Sequence, residues 1–399
     1  MTPAQQEPSG CYDLIDSDPL LETRLESMAN DPGPVGVDTE RASGFRYVQC
    51  AYLIQLKMNS TGVLLIDPVN ISEPVMAELD RTLSTKQWII HSATQDLPSL
   101  RMSGLNPHQL FDTELAARML GRTRVGLGPL IEDVLEISLA KEFANSDWST
   151  RPLPQSWLTY ATHDVEYLIE LAAALTQELE QDEKLDWANQ EFNYLITAPP
   201  PQPKTDPWRS TTGIHLVKNR TGMAVIKLLW ETRDQIAQDL DLAPHRIVKD
   251  RAISALASAV SEGTPIPQLS WPDRDWNTIY CRAYLPVFQQ ALKTACALLE
   301  SNRPPMRSSR TDIPAPSRWS RQNPEADQRW KQVRPAVIAL AETHRLPVEI
   351  LIAPKAIRSL LWDPIGLDPA SISHQLTQSG VRPWQHDLLV DLIADLLSA

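Results

Sequence analysis

Between residues 13 and 197 the spacing of apolar positions switches back and forth between two periods. Val35-Gly36-Val37-Asp38-Thr39-Glu40 is a short apolar run behind Pro32-Gly33-Pro34 and reads as a strand. Tyr52–Leu56 and Val63–Asp67 follow, separated by Asn59-Ser60-Thr61-Gly62, whose turn chemistry predicts an antiparallel meander of three strands. Glu73–Leu83 has helical period, Trp88–His91 reads as a fourth strand, and Asp96–Ser103 begins another helix. The run from Phe111 to Ala117 enters a helix with Asp112 placed to cap it, and 155–182 carries one long helical pattern. Strands mixed with helices in this way predict an α/β domain with a mixed sheet.

The period changes again after Ala198-Pro199-Pro200-Pro201-Gln202-Pro203, a run that cannot continue a helix and favours an extended spacer. Residues 216–300 contain no convincing strand; Val225–Leu240 and Ile253–Val260 are helical in period. An Arg- and Pro-rich stretch holds Arg303, Arg307, Arg310, Arg318 and Arg321, and 326–399 is helical once more. The two helical regions align at an offset of 104 residues: Leu242 with Leu346, Ile247 with Leu351, Val248 with Ile352, Ala252-Ile253 with Ala356-Ile357, and Leu256 with Leu360. Two copies of one small helical module account for that alignment. The expected division is therefore a catalytic-type domain at 1–197, a linker at 198–215, a helical domain at 216–300, a second linker at 301–325 and a second helical domain at 326–399.

A chain of 399 residues exceeds what one hydrophobic core usually serves, which agrees with several domains. No stretch reaches the roughly 20 apolar residues of a membrane span. Met1–Glu7 lacks the basic patch and apolar run of a leader, so no signal peptide is expected. Cys11, Cys50, Cys281 and Cys296 form no C-x-x-C pair, which points to neither a zinc site nor a disulfide framework and fits a cytoplasmic protein. A net charge of −13 argues against wrapping nucleic acid over a broadly basic surface, although part of the acid is what a cation site built from carboxylates requires.

Three acidic groupings carry the candidate chemistry. Asp38 and Glu40 lie at i and i+2 on a strand and so point the same way. Two neighbouring carboxylates among apolar residues repel unless a cation joins them; the plainer reading is an exposed strand edge. Asp96 follows the fourth strand, where the plainer reading is a helix N-cap. Tyr160 and Asp164, at i and i+4, share one helix face, and the plainer reading there is an amphipathic helix.

In this order, Asp38-x-Glu40, Asp96 and Tyr160-x-x-x-Asp164 resemble the three motifs of the DEDD superfamily of 3′→5′ exonucleases, in its tyrosine branch. The flanks are more specific than the acids. Leu53-Ile54-Gln55-Leu56, Leu65-Ile66-Asp67-Pro68, His91-Ser92-Ala93-Thr94-Gln95-Asp96-Leu97, Leu110-Phe111-Asp112-Thr113 and Ser146–Leu153 are similar to the ribonuclease D family over roughly residues 13–185. Trp230–Asp234 and Ile247–Ile253 resemble an HRDC domain, and 326–399 looks like a diverged second copy in which Ala353 and Pro354 replace Lys249 and Asp250. The resemblance implies a ribonuclease H-like α/β domain followed by two all-α HRDC-like domains.

It also implies an activity: 3′→5′ hydrolysis of RNA, as in tRNA 3′-end maturation or RNA turnover, with two Mg²⁺ or Mn²⁺ ions about 3.5–4 Å apart. By that likeness Asp38 bridges both ions, Glu40 and Asp164 bind one, and Asp96 completes the other. Tyr160 orients the attacking water, since a phenol near pKa 10 is a poor base at neutral pH. Thr159 stands where the sister branch has a histidine, and His163 is assigned a structural part. The partner implied is a single-stranded RNA 3′ end, with no membrane and no organic cofactor. A DNA exonuclease uses the same acids, and an inactive RNA-binding protein is the other alternative. In the family a bulky apolar residue often follows the first motif, where this chain has Arg41; if the family residue packs on the terminal nucleotide, either Arg41 contacts it differently or Phe45 takes its place.

Overall fold

The apolar runs pair into one six-stranded sheet, seen in a computed structural model that describes residues 12–138, 146–200, 204–265, 275–276, 278–307 and 313–398. Cys11, Arg310 and the Met1–Glu7 segment read above for a leader lie outside the described residues. The strands are β1 (Tyr12–Ile15), β2 (Val35–Arg41), β3 (Ala51–Met58), β4 (Gly62–Ile66), β5 (Gln87–Ile90) and β6 (Gln109–Asp112). Their spatial order is β1-β4-β3-β2-β5-β6. The expected meander of β2, β3 and β4 is antiparallel, while β1 joins β4, β5 joins β2 and β6 joins β5 in parallel. The sheet is therefore mixed. Strands β1 and β6, unlike β5 with Trp88-Ile89-Ile90, hold no run of three apolar residues, and β6 runs straight into the helix that Asp112 caps.

Around and behind the sheet come α1 (Asp18–Asn30), α2 (Glu73–Leu83), α3 (Leu97–Met102), α4 (Thr113–Met119), α5 (Leu127–Leu135), α6 (Gln155–Glu166), α7 (Leu168–Gln181) and α8 (Leu185–Thr197). The single helical pattern expected over 155–182 is two helices that part at Tyr167. The break falls where the chain crosses β2 closely. A Cβ on Gly36 would lie 3.3 Å from the Val165 carbonyl and from Leu168 Cβ, so the absence of a side chain there lets the α6–α7 corner settle on the strand.

The first helical region holds α9 (Arg220–Leu240), α10 (Pro244–Ile247), α11 (Asp250–Ser261), α12 (Ile279–Ala283) and α13 (Leu285–Ala297). The second holds α14 (Trp319–Gln322), α15 (Pro324–Thr343), α16 (Val348–Leu351), α17 (Pro354–Trp362), α18 (Pro369–Gln378) and α19 (Pro383–Ser398). The repeat seen in the sequence recurs in the elements: α10 and α16 start 104 residues apart, as do α11 and α17. No helix of the described residues is long and apolar enough to cross a membrane.

The apolar side chains form two cores. One runs without interruption from the sheet through α7 and α8 into the 313–398 helices. The other belongs to the 204–300 helices, with Tyr47 from the sheet domain packed against it. The join to the last helices is made by Trp187 stacked on Trp384 at 4.9 Å and by Arg382, whose guanidinium donates two 2.6 Å bonds to the buried Glu191 carboxylate. Trp384 Nε1 donates to the same carboxylate at 2.8 Å.

Candidate active site

Strand β2 and helix α6 bring the distant acids together. Alternation along β2 sends Asp38 and Glu40 to one face, and the i, i+4 relation on α6 sets Tyr160 and Asp164 on the side that packs over the strand. Carboxylate oxygens of Asp38, Glu40 and Asp164 all lie within 4.8 Å of one another. The entry to α6 is pinned by Arg151, which pairs with the buried Asp67 carboxylate at 2.6 Å and donates to the Tyr52 carbonyl at 2.9 Å. Trp148 is fully buried just upstream and meets Trp157 with ring centroids 5.2 Å apart. The family-like flanks at 65–68 and 146–153 thus hold the helix that carries Tyr160 and Asp164.

Asp96 reaches the cleft from the turn between β5 and α3. It occupies the N-cap position of α3 but makes no side-chain capping bond, so the plainer reading of this residue fails. Its carboxylate instead accepts a 2.9 Å bond from the Thr39 hydroxyl on β2, and Ser99 lies 3.1 Å from that hydroxyl. The turn is braced by Asp112, which accepts from the backbone N–H groups of Ser92 and Ala93 at 3.1 and 2.8 Å while capping α4 through Glu114 and Leu115. Asp96 stands beside the other three acids rather than within their 4.8 Å group.

Crowding and burial oppose ionisation here. Burial pushes Glu40 up to about 9, with Asp164 and Asp96 adding repulsion. Burial likewise raises Asp164 to about 7 and Asp96 to about 6. Asp38 is raised well above the carboxylate range by burial, then by Asp96, Asp164 and Glu40. Burial, then Asp164, Glu40 and Asp38, raise Tyr160, whose phenol hydrogen-bonds Asp164 and so stays protonated at neutral pH. A cluster that ionises this reluctantly suits a hard divalent cation, which removes the repulsion and takes oxygen ligands. Gln55, the cross-strand partner of Asp38, buries both amide atoms without a hydrogen-bond partner, which leaves further polar capacity on that face. His163 is half-buried with neither ring nitrogen hydrogen-bonded, and burial lowers its pKa.

Two features escaped the sequence. Arg41 turns back on the site: its guanidinium donates to the Gln95 carbonyl and lies 3.8 Å from Asp96 Oδ1. The loop that follows β2 is fastened to the first helical region. Asp241 accepts from Tyr47 N at 3.1 Å and Val48 N at 3.0 Å. Ala243 N donates to the Phe45 carbonyl at 3.0 Å, and Arg246 donates to the Gly44 carbonyl at 2.7 Å while its guanidinium lies 4.0 Å from the Phe45 ring centroid. This loop and Ser146 wall a cavity of about 220 Å³ that opens beside Glu40. The sequence singled out Arg41 and Phe45 as a departure from the family pattern, and nothing there pointed to a partner some 200 residues on.

Residues 12–180 match a family model described as a 3′-5′ exonuclease, 223–262 an HRDC domain, and 312–397 a 3′ to 5′ exonuclease C-terminal domain. The chain is 26% identical over 396 residues to ribonuclease D of Escherichia coli K12, covering 97% of this chain and 98% of that one. A crystal structure of a protein from Bifidobacterium adolescentis matches with a TM-score of 0.82 at 31% identity, over 100% of this chain and 99% of the other. The crystal structure of E. coli RNase D shares the fold, with a TM-score of 0.67 at 23% identity over 97% and 99% of the two chains.

Proposed function

The chain belongs to the ribonuclease D family, and from that premise we propose that it hydrolyses RNA stepwise from the 3′ end, releasing 5′-nucleotides, with divalent metal ions held by Asp38, Glu40, Asp96 and Asp164. The observation that carries this reading is the meeting of Asp38, Glu40 and Asp164 within 4.8 Å in a cleft that resists their ionisation. A purely structural cluster of that kind would cost stability with no return.

In this reading the carboxylates face the scissile phosphate and carry negative charge only once cations compensate it. All donors are hard oxygens, which suits Mg²⁺ or Mn²⁺. When bound, such ions supply Lewis acidity toward the phosphate and lower the pKa of the attacking water. Tyr160 stays protonated while donating to Asp164, so it positions that water, which can donate to the phenol oxygen, rather than acting as its base. Thr39 holds the Asp96 carboxylate in place. We assign catalysis to residues 1–197 and the positioning of RNA to the helical modules at 216–300 and 326–399, with precursor tRNA 3′ ends as the substrate and the cytoplasm as the setting.

A 5′-labelled single-stranded RNA tests this directly. With Mg²⁺ or Mn²⁺ the label should persist on a ladder of shortening products, and a chelator should stop the reaction. Asp38→Ala should abolish cleavage, and Tyr160→Phe should slow it about tenfold to a hundredfold while binding metal as before. Loss of the label in the first product would refute the direction, and faster digestion of a matched DNA strand would favour a DNA exonuclease.

A further inference from the structure

Arg41 brings a fixed positive charge into a cluster of acids. The ladder between β2 and β3 slips between Glu40 and Arg41, and a slip of this kind re-aims the side chain that follows. Here it turns Arg41 toward the Asp96 turn. One arm of the guanidinium donates to the Gln95 carbonyl, and the other lies 3.8 Å from Asp96 Oδ1, the oxygen that also takes the Thr39 hydroxyl. Asp96 is nearly enclosed and Arg41 only 28% exposed, so solvent screens the pair poorly. Asp96 is also the acid that stands outside the group of three.

We propose that Arg41 is a built-in counter-ion for Asp96 that competes with the divalent cation this carboxylate binds, so that the site is tolerably stable without metal and loads its Asp96-bound ion only at raised metal concentration. The inference rests on the metal-dependent reading above. A divalent ion arriving at Asp96 meets a guanidinium already in place and like in charge, and must share the carboxylate or move the side chain away. Arginine cannot lose its proton at any physiological pH, so its charge leaves the carboxylate only if the side chain moves. Lysine would keep the charge at a similar reach, whereas methionine keeps most of the volume and removes it.

The test is divalent-ion binding to the full chain without RNA, by calorimetry and by thermal shift against Mn²⁺ concentration, for wild type, Arg41→Met and Arg41→Lys. In Arg41→Met the midpoint for the weaker ion should fall about tenfold, the effect of removing one nearby positive charge. The same variant should melt lower than wild type in chelator and no lower once loaded with Mn²⁺. Arg41→Lys should bind within about twofold of wild type if charge is the cause. An Arg41→Met midpoint equal to or above that of wild type overturns the proposal. So does an unchanged midpoint joined to a raised KM for RNA, which would place Arg41 on the substrate phosphate. Wild type that binds no divalent ion at all would instead defeat the metal-dependent reading.

Discussion

Asp96, Asp164 and Glu40 release their protons near pH 6, 7 and 9, each raised first by burial. A carboxyl whose folded pKa is raised contributes stability that is complete below its unfolded pKa, near 4, and is lost as pH rises through the folded value. The metal-free protein should therefore grow less stable from about pH 4 up to about pH 9, with the share of Asp96 spent by about pH 6 and that of Asp164 by about pH 7. Divalent cations bind the ionised form and should restore what is lost. Thermal melts in chelator and in Mn²⁺ should accordingly diverge as pH rises, and binding near pH 7 should release protons, detectable as a dependence of the calorimetric heat on buffer ionisation. Asp164→Asn should narrow the divergence. A gap between the two melting curves that stays constant with pH would mean that these acids are not the metal ligands.

The element that connects chemistry to the rest of the chain is the loop after β2. It leaves Glu40, lines the cavity beside it, and ends fastened to the α9–α10 corner. Asp241, the residue of that corner that accepts the Tyr47 and Val48 N–H groups, has φ 46°, a left-handed conformation open to Gly and Asn. Asp241→Gly keeps the backbone and removes the Oδ1 that accepts both N–H groups, whereas Asp241→Asn keeps an oxygen in that place. The loss of two such bonds is worth about 1–3 kcal/mol. Asp241→Gly is thus expected to raise KM for a short RNA about tenfold with kcat little changed, and Asp241→Asn to behave as wild type. The comparison separates a positioning part for the helical region from passive packing, because a passive contact would lower the melting point and leave KM alone.

At the scale of the whole molecule, the two helical regions differ in how they attach. The 204–300 helices keep their own core and are hydrogen-bonded to the loop after β2, while the 313–398 helices share the core of the sheet domain. Trp384 is 1% exposed, stacks on Trp187 and donates to Glu191, itself paired with Arg382. Trp384→Ala should cost about 3–5 kcal/mol in urea unfolding, from the lost ring and the cavity left behind. A chain ending at residue 312 should lose its cooperative transition altogether, since α8 would bare its apolar face. A truncated chain that melts as sharply as the whole would show the last helices to be an independent appendage.

How much of this was legible beforehand follows from the range of the interactions involved. The meander, the major helices and the capping aspartate Asp112 were readable because period and turn chemistry are local. The helical repeat was readable because both copies keep the same apolar spacing. Strands β1 and β6 hold no run of three apolar residues such as Trp88-Ile89-Ile90 of β5, and the break at Tyr167 packs against Gly36, more than 120 residues earlier. For the site, residue type and order named Asp38, Glu40, Asp96, Tyr160 and Asp164 through family likeness, yet no spacing along the chain states that three of them come within 4.8 Å. The sequence by itself determined the alternation of strand and helix, the repeat and the inventory of acids, all of which are written in nearest-neighbour pattern. Only the tertiary structure decided that Thr39 rather than a helix end takes up Asp96, that Arg41 faces that carboxylate, and that Asp241 holds the loop at the cleft, because those partners lie tens to hundreds of residues apart and meet only when the chain has folded.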